Sequence, residues 1–142
     1  MITPLYCQDF TEFVYPLISN CRRSLDVLTY DWRWYPDHPQ HDIQKINVAI
    51  IRLLQRRIKV RALLQNKKMV QFLRDLKIPA RSPQTEATLH SKFLIVDEKY
   101  LVLGSHNLTH RAMSYNIETS LIIDDPDIVL HHKLLFNNLY GL

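Results

Sequence analysis

His90-Ser91-Lys92-Phe93-Leu94-Ile95-Val96-Asp97, followed six residues later by Gly104-Ser105-His106-Asn107, is the most informative run in this chain. Lys92 to Val96 reads as a strand, so Lys92, Leu94 and Val96 share one side of it. His90 lies two residues before Lys92 and projects to the same side if the strand already begins there. Tyr100 to Leu103 reads as a second strand, joined to the first by the turn Asp97-Glu98-Lys99. That strand ends at Gly104-Ser105, a backbone break where a ligand can approach closely. Ser105 and Asn107 add a hydroxyl and an amide at the same end. Imidazole, ammonium, hydroxyl and amide can thus converge on one anionic group. Lys92 is the telling residue, because a lysine buried on an apolar strand needs an anionic partner. Asp97 lies at the turn, beyond the apolar stretch, and is expected to be structural.

Outward from this run the pattern alternates between helix and strand. Phe10, Phe13, Leu17, Ile18 and Cys21 fall at helical spacing over residues 8–23, and Pro16 is expected to kink or split that helix. Leu25 to Tyr30 reads as a strand. Trp32 to Asp42 reads as a loop, punctuated by Pro36 and Pro39. Ile43, Ile46, Ala49, Ile50, Leu53 and Leu54 form an amphipathic stripe. Ile58 to Leu64 reads as a strand and Lys67 to Leu76 as a short helix. Asn116 to Ile123 reads as another strand, and Asp124-Asp125-Pro126 opens a final helix to about Leu139. The order predicts an α/β fold with a mixed sheet flanked by helices, parallel at crossovers and antiparallel at tight turns.

The 142 residues read as one domain, 1–142, with no linker or repeat to divide it. The formal charge is +4 and the pI about 9.1, which suits a polyanionic partner without requiring one. The charge is concentrated. From Arg52 to Arg81 ten cations, Arg56 and Arg57 among them, accompany the single acid Asp75. They serve either as solvated helix faces or as a phosphate-facing surface. The two cysteines, Cys7 and Cys21, are too few for a disulfide scaffold and lack zinc spacing. No leader-like or bilayer-spanning apolar run is present, so a cytoplasmic chain without stable membrane association is expected.

The quoted run resembles the HKD signature of the phospholipase D superfamily. His90, Lys92, Asp97, Gly104, Ser105 and Asn107 fill the signature positions. Six such matches arise by chance in roughly one window in 10^7 to 10^8. Asn116-Ile117-Glu118 falls where family members carry an acidic residue, and the strand–helix–strand order upstream resembles the family's sandwich. His131-His132-Lys133 repeats only the His-x-Lys spacing, lacks the rest, and is expected to be a polar face of the last helix.

The resemblance implies a phosphodiesterase that needs no metal or cofactor. One motif histidine attacks phosphorus to form a phosphohistidine, and a second protonates the leaving oxygen. Lys92 and Asn107 hold the non-bridging oxygens, Ser105 adds a hydrogen bond, Glu118 orients the imidazole, and Asp97 buttresses the site through salt bridges. Gly104 supports the motif. The scheme needs two motif histidines and this chain has one complete motif, so a homodimer sharing one site is expected.

The family acts on phospholipids and on nucleic acids. Small size, the basic segment and the run Asp31-Trp32-Arg33-Trp34-Tyr35 favour nucleic acid, with Trp32 and Trp34 stacking on unpaired bases and Arg33, Arg56 and Arg57 meeting phosphates. The same rings equally suit a core or a dimer contact. A cardiolipin-type phosphodiesterase and a non-catalytic dimeric nucleic-acid-binding module remain open alternatives. His38 with His41, and His106 with His110, lack the partners of a familiar zinc site.

Overall fold

Alternating apolar residues along the strands bury one set of side chains on each face of a seven-stranded sheet. The computed structural model describes residues 1–141. The elements are β1 (Ile2–Tyr6), α1 (Asp9–Ser19), β2 (Ser24–Leu28), α2 (Asp42–Gln55), β3 (Lys59–Leu63), α3 (Lys67–Asp75), β4 (Ala80–Arg81), β5 (Phe93–Val96), β6 (Tyr100–Gly104), α4 (His110–Ser114), β7 (Thr119–Ile123) and α5 (Pro126–Tyr140). The strand order is β1-β7-β6-β5-β2-β3-β4. Strands β2, β3 and β4 run parallel, linked by the crossover helices α2 and α3. Strands β5, β6, β7 and β1 continue the sheet antiparallel. This is the mixed α/β architecture that the pattern predicts.

Leu94 and Val96 face a core shared with α1, α2 and α3, while Phe93 and Ile95 face Val129, Phe136 and Tyr140 of α5. An ionic network ties α5 to the sheet. Asp26, 1% exposed, accepts from Arg61 Nε at 2.9 Å and from Lys133 Nζ at 2.5 Å. The Arg61 guanidinium packs against the rings of Phe136 and Tyr140. Lys133 therefore turns inward, and the expected polar outer face at His131-His132-Lys133 is corrected: only His131 is exposed.

Other local expectations shift. Pro16 sits inside α1 without splitting it, and Val14 rather than Phe13 takes the buried position. Strand β1 lies at the sheet edge, where Pro4 is tolerated. Neither β1, β4 nor α4 is marked by strong periodicity. Residues 116–118 precede strand β7 rather than open it. No described helix is long and apolar enough to cross a membrane.

Asp97 is structural, by a different device from the expected salt bridges. It occupies the β5–β6 turn with φ 57°. Its carboxylate accepts from the backbone N–H groups of Arg22, Arg23 and Ser24 at 2.7–3.3 Å, and from the Cys21 thiol. No ion pair among the described residues includes it. Those bonds lower its pKa although burial opposes them, and burial together with Asp97 pushes the Cys21 thiol up to about 11.

Candidate active site

Sheet register assembles the site. Leu28 pairs with Phe93, Phe93 with Leu103, and Gly104 with Ser120. The C-terminal ends of β2 and β6 therefore meet the N-terminal ends of β5 and β7. Gly104 is required there. A Cβ at this position would lie 2.2 Å from Ser120 Oγ and 2.4 Å from the β7 backbone. The close approach at this glycine is thus strand to strand, not strand to ligand.

Lys92 is 9% exposed and takes part in no ion pair among the described residues. Its ammonium donates to the His90 carbonyl at 2.6 Å, sits 3.3 Å from His90 Nδ1, and lies over the Tyr30 ring. Burial lowers its pKa below the ordinary lysine value, and the nearby Glu118 charge opposes that shift. An ammonium only donates, so Nδ1 is the acceptor in this contact. The exposed His90 ring also packs on Tyr30, centroid to centroid 5.0 Å.

Asn107 Oδ1 accepts from the Asp31 N–H at 3.2 Å, which leaves the Asn107 NH2 to donate elsewhere. Ser105 behaves otherwise than expected. Its hydroxyl donates to Glu118 Oε1 at 2.6 Å and accepts from the Thr119 N–H, so it is committed within the protein. Glu118 Oε2 accepts from Asn116, and within this chain its carboxylate is held by Ser105 and Asn116 rather than by His90. Ser105 therefore holds Glu118, whose charge acts on the buried ammonium, and its own hydroxyl is engaged within the protein.

Several candidate binding residues lie elsewhere. Trp32 is 1% exposed, and its indole N–H donates to Asn47 at 2.8 Å, so it cannot stack on a base. Arg56 donates to the carbonyls of Ser19 and Cys21, at the end of the sheet away from the site. Arg57, with φ 62°, shapes the turn into β3 at that same end. The basic segment is thus divided: Lys67 and Lys68 open α3 on the site side, whereas Arg61 is buried in the core. Arg33 is exposed and pairs with Asp31, and Trp34 is half-buried beside it.

Two arrangements carried no sequence signal. Gln65 clamps the segment before His90, its Nε2 donating to the Ala87 carbonyl at 2.6 Å and its Oε1 accepting from the Leu89 N–H at 2.8 Å. His106 is buried under Phe10. Its Nε2 donates to the Cys7 carbonyl and its Nδ1 accepts from Ser120, so it is a neutral structural residue whose pKa burial lowers. His106 and His110 share no helical face. His110 instead stacks on His41, which stacks on His38. Among the described residues no group of three or more His, Cys, Asp or Glu is arranged to hold a metal.

The family model described as "Cardiolipin synthase, PLD-like domain" matches residues 14–140. The chain belongs to the phospholipase D superfamily. A mitochondrial cardiolipin hydrolase of Chlamydomonas reinhardtii is 26% identical over 99% of this chain and 60% of its own length. The chain thus spans about 60% of that relative. Among solved structures, the phospholipase D family member Nuc from Salmonella typhimurium superposes with TM-score 0.81 at 18% identity, covering 99% of this chain and 94% of Nuc. NucT from Helicobacter pylori superposes with TM-score 0.77 at 21% identity, covering 98% and 94%. Those likenesses are of fold. Within it, this phospholipase D-like chain places His90, Lys92 and Asn107 at one end of the sheet.

Proposed function

We propose that this chain is a metal-independent phosphodiesterase that hydrolyses nucleic acid through a phosphohistidine, in a site completed by a second copy. The observation that carries the reading is Lys92, a buried ammonium that forms no ion pair among the described residues, held 3.3 Å from the imidazole of an exposed histidine. A phosphodiester oxyanion supplies the missing charge. As the ammonium turns to that oxygen, His90 is released from it. The free imidazole attacks phosphorus and the bond to the leaving oxygen breaks. His90 of the partner subunit protonates the leaving oxygen, then takes a proton from water as that water cleaves the phosphohistidine. Lys92 and the Asn107 NH2 offset the charge that builds on the non-bridging oxygens.

The reading assigns docking of the second copy to the segment next to the site. Ile117 is 93% exposed and Tyr115 is 71% exposed, immediately before Glu118. Apolar side chains so placed favour burial against a partner.

The test is cleavage of labelled single- and double-stranded DNA and RNA in excess EDTA, with His90→Ala alongside. Activity should survive EDTA and fall by at least about 10^3-fold in the variant. Loss of wild-type activity in EDTA would refute metal independence. The name of the Chlamydomonas relative favours a second reading, hydrolysis of cardiolipin. Release of phosphate-headed product from cardiolipin vesicles, with no cutting of any nucleic acid, would select it.

A further inference from the structure

A groove of about 410 Å3 opens beside the site, lined by Asp31, Arg33, Trp34, Asn66, Lys68 and Phe72 among others. It adjoins the catalytic end of the sheet directly, because the Asp31 N–H is the group that holds Asn107. Trp34 and Phe72 make an aromatic corner, with centroids 5.6 Å apart and planes at 63°. Trp34 stacks at 5.9 Å on Trp32, a buried residue that also lines the groove and is pinned in turn by Asn47. The corner is therefore set before any ligand arrives. Phe72 is 37% exposed although it is a large apolar side chain.

The charge around this corner is cationic. Arg33 and Lys68 are exposed. The one acid, Asp31, is offset by Arg33 at 3.2 Å, and Lys68 has no ion pair among the described residues.

We propose that this groove receives an unpaired nucleobase of the substrate strand, next to the phosphodiester being cut, and so selects single-stranded nucleic acid. The inference rests on the nuclease reading above and deepens it. A base inside a duplex has both faces covered and cannot enter an aromatic corner. An unstacked base presents a free face to one ring and its edge to the other, while the adjoining phosphates meet Arg33 and Lys68. A lipid acyl chain fits less well, since it would leave Arg33, Asn66 and Lys68 against hydrocarbon.

The experiment compares kcat/KM of the full chain on an oligothymidylate, on the same strand in a duplex, and on a strand of equal length with abasic sites. Wild type should prefer the single strand, and the base-bearing over the abasic one. Phe72→Ala should reduce that base preference by about 5- to 150-fold. Because the readout is a ratio within one variant, partial misfolding does not mimic it. Phe72→Leu, which keeps bulk without an aromatic face, should behave the same way. An unchanged ratio in both variants overturns the proposal, as does a loss confined to cardiolipin vesicles. If wild type cuts no nucleic acid, the nuclease reading fails separately. The groove is then judged by fluorescence anisotropy of labelled oligothymidylate against the abasic strand: base-dependent binding that Phe72→Ala weakens supports it, and base-independent binding refutes it.

Discussion

At the scale of single residues, the site depends on where one imidazole points. Gln65 substitutes for a missing strand partner, meeting the backbone of Ala87 and Leu89 with both ends of its amide. Water can replace those bonds in a variant, so stability should change little, by about 1 kcal/mol. The position of His90 should change more. Gln65→Ala is expected to lower kcat by about 10- to 100-fold while KM holds. Gln65→Asn, one methylene short of the same span, should not rescue it. A fall in KM-dependent binding with kcat intact would instead make Gln65 a binding residue. At this same scale Ser105 and Glu118 act as a pair: the hydroxyl that fixes the carboxylate cannot also serve a phosphate.

At the scale of elements, Asp97 joins the β5–β6 turn to the segment between α1 and β2. It accepts three backbone N–H groups near the start of β2. Asp97→Ala should destabilise the fold by about 2–4 kcal/mol, measured by denaturant unfolding. The carboxyl is held below its ordinary pKa of 3.8. Its contribution is therefore fully present above that value and is lost as pH falls through the lowered folded pKa. Asp97→Asn keeps an acceptor but cannot titrate, so its stability should fall less steeply than wild type's below about pH 4. Equal acid slopes for the two proteins would show that Asp97 does not set this dependence.

At the scale of the whole molecule, the proposed two-histidine chemistry requires an assembly, because each chain carries one complete motif. Ile117 is so exposed that its replacement costs a lone chain nothing in packing. Ile117→Glu should therefore yield a folded monomer by light scattering, with activity on nucleic acid lost together with the dimer. Wild type that is monomeric at concentrations where it is fully active would sink the shared site.

The motif was legible because its parts are local. Alternation along Lys92 to Val96 and the spacing to Gly104 and Asn107 are set by the strand repeat, and the order of helices and strands follows from periodicity. The family, the mixed sheet and the placement of His90, Lys92 and Asn107 at one end of it were accessible from the amino acids alone. Only the tertiary structure decided which cations reach the site. Arg56 and Lys68 belong to one basic stretch, yet they lie toward opposite ends of β3, and nothing local says which end carries the chemistry. Trp32 and Trp34 are two residues apart, and only the packing of α2 makes one a core residue pinned by Asn47 and leaves the other half-buried at the groove. Local repeats determine which side of an element a residue occupies. Contacts between residues tens of positions apart depend on sheet register and helix packing, which no local repeat encodes.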